Sequence, residues 1–293
     1  MGIKVSAGER CFRILNIVGM ILFCICAIYP FLYLLTRSLS PSEASLVKIG
    51  LLPERIVFDN YWRVLKNPAI GAGFKNSIIR TCVGSAVNVA GAILGAYPLS
   101  KKYFPNRNFW TAFVVVTMFF GGGLIPSYVL VKQLGLMNSM WAMILPGSIS
   151  TYNMIIMRNF FMSVPESLEE AARIDGANDF KILWRVILPI SKPILMTVLL
   201  WSLVGHWNAW FDCLIYITHP SKQVLQVVLR RIVMEGAAQM LNPNSYDFAD
   251  NKIVNPENIK AATIMVATIP IIMVYPFLQK HFVKGILVGS LKG

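Results

Sequence analysis

Residues 14–35 have the sequence ILNIVGMILFCICAIYPFLYLL, a stretch that contains no charged side chain. A helix needs about 20 predominantly apolar residues to cross the hydrocarbon core of a bilayer, and this stretch is long enough. It is too long for the apolar region of a cleavable signal sequence, and no small-residue cleavage site follows it. We therefore interpret it as a membrane-spanning helix.

Further apolar stretches of similar length follow along the chain. The composition agrees with membrane burial, since 56% of residues are hydrophobic and only 14% are charged, against about 25% charged in soluble domains. The predicted spans are Ile14–Leu35, Asn76–Leu99, Phe109–Val131, Met140–Met157, Val186–Ile217 and Ala261–Phe282. The fifth exceeds one crossing and should contain a kinked or interfacial portion. The sequence thus predicts an all-α, polytopic transmembrane helical bundle of about six helices, forming a single domain over residues 1–293.

The net charge of +13 does not indicate nucleic-acid binding, because Lys and Arg residues cluster in the gaps between the apolar stretches. Many of these cations lie in the links 100–108 and 158–185 and at both ends of the chain. Cytoplasmic loops are enriched in Lys and Arg, so we expect both links and both termini to be cytoplasmic. The cysteines show no spacing typical of a zinc site, and we expect no metal.

The link between the fourth and fifth predicted spans contains residues 163–189, SVPESLEEAARIDGANDFKILWRVILP. Ser163 and Glu166 have the spacing of a capping box, which predicts the start of a helix. Asp175 and Gly176 should end that helix, because Gly readily adopts the left-handed conformation of a C-terminal cap. A second helix is expected to begin near Asn178 or Asp179 and to run toward Pro189, where it merges with the fifth span.

This link is longer than a connection between two helices requires. A short helix with small alanines beside carboxylates can dock into a groove on another protein. The alternative is an amphipathic helix that lies on the bilayer, but such helices favour Lys and Arg on their polar face, and this one carries clustered acids.

The same link resembles the EAA motif of ABC-importer permeases. The matching residues are Glu170, Ala171, Ala172, Gly176, Leu188 and Pro189. The family has Ile two positions before that Leu, where this chain has Val186. The resemblance implies a cytoplasmic coupling helix that docks into a cleft of an ATPase subunit. The residues implied in that contact are Glu170, Ala171, Ala172, Asp175 and Gly176.

Residues 205–212, GHWNAWFD, and 275–285, YPFLQKHFVKG, are similar to the carbohydrate-uptake branch of that family, above all to permeases for oligosaccharides or polysaccharide fragments. The candidate solute-path residues are Trp207, Asn208, Trp210 and Asp212, since aromatic rings contact sugar faces and Asn or Asp can bond hydroxyls. An interfacial aromatic belt is the open alternative. Arg80 and Lys192 are expected to snorkel from helix ends.

The chain contains no Walker A pattern, so ATP and Mg²⁺ are expected on separate subunits, with no cofactor and no catalytic residue on this chain. The resemblance implies two cytoplasmic ATP-binding subunits, a second and non-identical permease subunit, and an external solute-binding protein. It also implies a carbohydrate solute and a location in the prokaryotic cytoplasmic membrane, in contact with lipid.

Two other functions stay open at this point. The chain can be an importer permease for a non-sugar solute, such as an amino acid, phosphate or polyamine. It can also be a secondary transporter or a membrane enzyme. An ion-coupled carrier should have acidic residues within its spans, and Asp212 is the one candidate near a span.

Overall fold

A computed structural model describes residues 7–41, 55–235 and 256–290, and every regular element within them is helical. In chain order the α-helices are α1 (Ala7–Leu39), α2 (Asp59–Lys66), α3 (Pro68–Ser100), α4 (Arg107–Phe119), α5 (Leu124–Gln133), α6 (Met140–Ile144), α7 (Thr151–Met162), α8 (Glu166–Ile174), α9 (Asp179–Ile182), α10 (Leu188–Ile190), α11 (Lys192–Asn208), α12 (Phe211–Tyr216), α13 (Leu225–Glu235) and α14 (Pro256–Ser290). The predicted all-α class is confirmed.

Within these described ranges, three continuous helical segments are long and apolar enough to cross a membrane: Gly8–Leu39, Pro68–Ser100 and Glu257–Val274. Two bent pairs raise the number of candidate spans to as many as 5. In the first pair, α4 and α5 meet at an angle of 108°. In the second, the segment Asp179–Ile190 meets α11 at 83°. The structure thus agrees with a polytopic bundle. Several of the predicted spans are bent in it rather than straight.

Glycine and proline account for these breaks. Between α4 and α5 the chain passes through Gly121, Gly122 and Gly123, and Gly123 has a φ of 81°, a conformation that residues with a Cβ rarely adopt. The fourth predicted span, Met140–Met157, is also divided. A 3-10 turn at Leu145–Gly147 separates α6 from α7, because Pro146 has no backbone N–H to continue an α-helix.

The predicted kink in the fifth span is confirmed. A π-helical turn, Leu183–Ile187, precedes α10, and Ser191 marks the bend before α11. A second interruption follows at Ala209 and Trp210, which lie between α11 and α12 outside any helix.

The contacts divide the chain into two units. The first comprises Met1–Asn67 and Arg231–Thr268, and the second comprises Pro68–Arg230 and Ile269–Gly293. The expectation of a single domain over residues 1–293 stays a prediction.

In the first unit, polar side chains bind the end of α1. The Asn60 side-chain amide of α2 donates to the carbonyl oxygens of Ser38 at 3.0 Å and Ser40 at 2.9 Å. The Asn258 amide of α14 donates to the Ser40 carbonyl at 3.2 Å. The preceding part of α1 exposes its apolar side chains, as a lipid-facing span does.

In the second unit, α3 packs against both α7 and α11. The hydrophobic core at this contact includes Ala92 and Ala96 of α3, Met157 and Phe161 of α7, and Val198 of α11. Small residues on α3 let the neighbouring helices approach closely, which is the usual packing mode between membrane helices. The two ends of α3 lie beside the two groups of candidate site residues.

Candidate functional site

Helix α8 begins without the predicted capping box. Pro165 is its N-cap, and no side chain caps the first turn. The Ser163 hydroxyl instead donates to the carbonyl of Phe160 at 2.7 Å, so it closes the preceding helix. The Glu166 carboxylate pairs with the Lys102 ammonium at 2.7 Å. This hydrogen bond and the positive charge of Lys102 lower the pKa of Glu166.

The end of α8 confirms the predicted stop. Gly176 has a φ of 76°. Its N–H donates to the Arg173 carbonyl at 2.9 Å, and the Ala177 N–H donates to the Ala172 carbonyl at 2.9 Å. These two bonds form a Schellman motif, which requires a residue in the left-handed conformation at this position.

Helix α9 starts where the sequence predicts. The Asn178 side-chain oxygen is the N-cap and accepts from the Lys181 N–H at 2.9 Å. One carboxylate oxygen of Asp179 accepts from the Arg173 guanidinium at 2.9 Å and from the Tyr103 hydroxyl at 2.9 Å. The Arg173 guanidinium also lies over the Tyr103 ring, 4.4 Å from its centroid. The cluster connects α8, α9 and the link after α3.

The inner face of α8 contains an ion pair that the sequence reasoning missed. The Glu169 carboxylate pairs with the Lys101 ammonium, and the two residues are only 8% and 6% exposed. The same ammonium lies 4.6 Å from the centroid of the Tyr97 ring. Burying two charges is costly unless they pair, so this contact fixes α8 against the end of α3. The sequence signal that was missed is the i,i+3 spacing, which puts Glu169 and Ala172 on one helix face. In the structure Ala172 is half-buried on that face.

The outer face of α8 carries Ser167, Glu170, Ala171 and Ile174, all of which are exposed. Ile174 is 87% exposed, the largest exposed fraction among the large apolar side chains of the described residues. Asp175 and Gly176 are also exposed. Four of the five predicted contact residues are therefore accessible, whereas Ala172 packs against the core of the second unit.

About 20 residues before the end of α3, Arg80 does not snorkel as predicted. It is 2% exposed, and its guanidinium pairs with the Asp212 carboxylate. It also donates to the Ala209 carbonyl at 2.9 Å. A buried guanidinium needs such partners, because leaving the charge unpaired in a low-dielectric interior is costly. Lys192, by contrast, is exposed at the first position of α11.

The four candidate solute-path residues occupy different environments. Trp207 is buried, and its ring packs edge-on against Phe74 with the centroids 5.8 Å apart. Asn208 is exposed at the end of α11. Trp210 is half-buried, and Asp212 pairs with Arg80. Asn208 is therefore the exposed member of this group, Trp210 and Asp212 are half-buried, and Trp207 is buried.

A second arginine, which the sequence reasoning did not single out, lies beside Trp210. The Arg230 guanidinium of α13 is 4.1 Å from the centroid of the Trp210 ring. A cation over an indole face is attracted by the negative potential of the ring.

Helix α3 separates the two groups. At about 1.5 Å per residue, Arg80 and Ser100 lie about 30 Å apart along this helix, the thickness of a bilayer core. The α8–α9 segment and the Trp210 region therefore lie toward opposite ends of a membrane-length helix. Among the residues that the structure describes, no group of three or more His, Cys, Asp and Glu could bind a metal ion.

Comparison with known proteins agrees with this arrangement. Residues 88–288 match the family described as binding-protein-dependent transport system inner membrane component. Protein LplC of Bacillus subtilis (strain 168) is 40% identical over 290 residues, which are 98% of this chain and 97% of that protein. The polygalacturonan/rhamnogalacturonan transport system permease protein YtcP of the same organism is 37% identical over 286 residues, 97% of this chain and 99% of that protein.

A solved structure is also similar. It is a chain of a bacterial ABC transporter involved in the import of the acidic polysaccharide alginate. The TM-score is 0.87 at 34% sequence identity, over 96% of this chain and 100% of that chain.

Proposed function

Because this chain belongs to the family of binding-protein-dependent transport system inner membrane components, we propose that it is the permease subunit of an ATP-driven importer of oligosaccharides or polysaccharide fragments. The observation that carries this proposal is the α8–α9 segment, which presents an exposed face at one end of a membrane-length helix. Protein YtcP and the alginate importer, by their names, transport polysaccharides, which supports the carbohydrate class.

The outer face of α8 is the surface that docks into a cytoplasmic ATP-binding subunit. Glu170 supplies a carboxylate for a charge-assisted hydrogen bond, Ala171 permits close approach, and Ile174 supplies the apolar contact. Asp175 and Gly176 border this surface. ATP and Mg²⁺ act on two such subunits, whose closure moves α8 and alternates the pathway between inward-facing and outward-facing states.

The complete importer has further components. An external solute-binding protein delivers the saccharide, as the family's description indicates for its members. A second, non-identical permease subunit completes the pathway. The α8–α9 segment and both termini face the cytoplasm of a prokaryotic cell, and the remaining helices cross its cytoplasmic membrane.

The pairing of Asp212 argues against a secondary transporter. An ion-coupled carrier needs an acidic side chain that can bind and release its ion. The Asp212 carboxylate pairs with Arg80 and also accepts a hydrogen bond from the Cys213 N–H at 2.8 Å. The Asp212 carboxylate is therefore already paired with these two groups of the protein.

The proposal is tested with the purified complex in proteoliposomes, measuring saccharide uptake and saccharide-stimulated ATPase activity. Ala171→Leu places a bulky side chain on the exposed outer face, where it does not disturb the core. We expect it to reduce uptake at least about tenfold while the protein stays folded, because the loss of one interface contact is worth about 1.4 kcal/mol or more.

The matched control is Ala112→Leu, which adds the same bulk to an exposed position of α4. It should transport as the wild type does. Full uptake and full ATPase stimulation in Ala171→Leu would show that α8 does not dock as proposed. An importer that responds to amino acids or phosphate, and to no saccharide, would refute the carbohydrate assignment.

A further inference from the structure

The turn between α11 and α12 presents an aromatic ring and a cation together. The Arg230 guanidinium lies 4.1 Å from the centroid of the Trp210 ring. The Trp210 ring also packs edge-on against Phe211, with centroids 5.6 Å apart and an interplanar angle of 86°. The indole thus contacts both the Arg230 guanidinium and the Phe211 ring.

The two arginines of this region differ in their partners. Arg80 is buried, and its donors bind the Asp212 carboxylate and the Ala209 carbonyl. Arg230 is exposed, and within the part of the chain that the structure describes no carboxylate or carbonyl pairs with it. Among the described residues its N–H donors thus have no anionic partner, and a guanidinium matches a carboxylate with two parallel hydrogen bonds.

Partly buried contacts of Arg80 and Asp212 hold the turn in place. Arg80 binds the Ala209 carbonyl, directly before Trp210, and the Asp212 carboxylate, two residues after it. The Asp212 carboxylate also accepts from the Cys213 N–H at 2.8 Å. The buried Arg80 guanidinium thus fixes the backbone on both sides of Trp210 in sequence. The exposed Asn208 lies at the adjacent end of α11.

The non-helical backbone of this turn limits the environments in which it can lie. Ala209 and Trp210 are outside any helix, yet they interrupt a long apolar stretch. Non-helical backbone at membrane depth occurs where it lines a polar cavity or is buried in protein, and not where it faces lipid. The turn therefore does not face lipid.

We propose that Trp210 and Arg230, with Asn208, form a subsite for an acidic sugar ring of the transported saccharide. The guanidinium of Arg230 binds the sugar carboxylate, the exposed part of the Trp210 indole contacts the ring, and the Asn208 amide bonds a hydroxyl. This inference rests on the proposed function and adds to it the class of the solute, a uronate-containing saccharide.

The experiment compares acidic and neutral solutes in the reconstituted importer. A panel of uronate oligosaccharides is assayed for uptake, each paired with its carboxyl-reduced, neutral form. We expect Arg230→Gln to lower the ratio of acidic to neutral uptake efficiency at least about tenfold, chiefly through KM, because one charge-assisted contact is lost. Arg230→Lys keeps the charge without the planar fork and should lie between the two.

Lys132→Gln is the matched control, since it removes an exposed cation at the end of α5 and should leave that ratio unchanged. An Arg230→Gln variant whose uptake of acidic and neutral solutes falls by the same factor would assign Arg230 a structural role and overturn the inference. A ratio of acidic to neutral uptake efficiency that is the same in Arg230→Gln as in the wild type would also overturn the inference.

An anionic lipid headgroup offers the same chemistry as a uronate. The assays are therefore repeated in vesicles of phosphatidylcholine alone and in vesicles that contain phosphatidylglycerol. A defect that depends on phosphatidylglycerol and not on the solute would assign Arg230 to lipid and overturn the inference. If the wild-type importer transports only neutral saccharides, this inference alone fails. If it transports no saccharide, the proposed function fails as well.

Discussion

Single residues of α3 and of the link after it set the geometry of both candidate sites. Arg80 and Lys101 are buried cations, and their partners Asp212 and Glu169 come from distant parts of the sequence. Since a buried charge is tolerated only with a partner, each pair fixes the position of the element that supplies its carboxylate. The Lys101 pair fixes α8, and the Arg80 pair fixes the turn that carries Trp210.

The Lys101–Glu169 pair can be tested by removing either partner. Lys101→Met and Glu169→Gln each leave an unpaired buried group, which should cost about 3–5 kcal/mol of local stability. We expect α8 to lose its attachment to α3, seen as faster hydrogen exchange over residues 163–176 and as weaker coupling of ATPase activity to uptake. The reversed pair, Lys101→Glu with Glu169→Lys, should recover part of both.

The neighbouring pair Lys102–Glu166 provides the control, because both side chains are exposed. Exposed ion pairs contribute little, so Lys102→Met should leave hydrogen exchange and coupling close to those of the wild type. Equal effects of Lys101→Met and Lys102→Met would mean that the burial of the first pair has no mechanical role.

A second residue-scale prediction concerns Gly84. A Cβ atom at this position would lie 2.6 Å from Cε1 and 2.7 Å from Nε2 of His206, across the contact between α3 and α11. Gly84→Ala should therefore lower stability by about 1–3 kcal/mol through overpacking, measured as a lower apparent Tm in detergent. In a His206→Ala background the same substitution should cost far less. If it costs as much there, the rigid ring is not the obstacle.

Gly95 is the matched comparison. A Cβ at this position would meet Cε of Met154 at 2.5 Å, the far end of a flexible side chain. Methionine can adopt another rotamer, so Gly95→Ala should be tolerated better than Gly84→Ala.

At the scale of elements, the α8–α9 segment is defined by its helix ends. The Schellman motif at Gly176 reverses the chain, and the Asn178 cap starts the next helix. The Arg173–Asp179 pair then joins the two helices at 2.9 Å. These local interactions fix the direction of α8 relative to α9, although α8 itself buries little apolar surface.

Gly176→Ala tests this element. A residue with a Cβ in the left-handed conformation costs about 1–2 kcal/mol, and the φ of 76° requires that conformation. We expect the direction of α8 to change, with ATPase activity less stimulated by solute while the apparent Tm of the whole protein stays nearly constant. Gly135→Ala imposes the same backbone cost at a turn after α5, where φ is 67°. It should not alter coupling, and equal loss of coupling in both variants would argue against a special role for the α8–α9 turn.

For the molecule as a whole, Asn88 joins three helices of the second unit. Its side-chain oxygen accepts from the Asn153 amide of α7 at 3.2 Å and from the Ser202 hydroxyl of α11 at 3.0 Å. Its amide donates to the Gly147 carbonyl at 3.2 Å. Inside a membrane bundle such bonds connect helices that have no hydrophobic force to hold them together.

Asn88→Leu should therefore destabilise the packing of α3, α7 and α11. Bonds between membrane helices contribute about 0.6 kcal/mol each on average, so the loss should be about 2 kcal/mol, seen as a lower apparent Tm. Asn16→Leu makes the same change on the exposed surface of α1 and should have no such effect. An unchanged Tm in Asn88→Leu would show that this polar cluster is dispensable.

The sequence by itself determined the features that depend on neighbours within a few residues. Apolar length identified the three continuous candidate spans, Gly176 identified the end of α8, and Asn178 identified the start of α9. The kink in the fifth span was also predictable. These features follow from local physics, namely the length of apolar chain that a bilayer accepts and the dihedral angles that each residue adopts.

Only the tertiary structure decided which of these residues are paired, buried or accessible. Arg80 was expected to snorkel, but its partner Asp212 lies 132 positions away in sequence. Glu169 is one of the clustered acids of α8, and its partner Lys101 lies 68 positions away. Trp207 and Trp210 are near neighbours in sequence, yet one is packed in the core and the other is accessible. Burial and pairing depend on which helix faces which, and no local pattern specifies that.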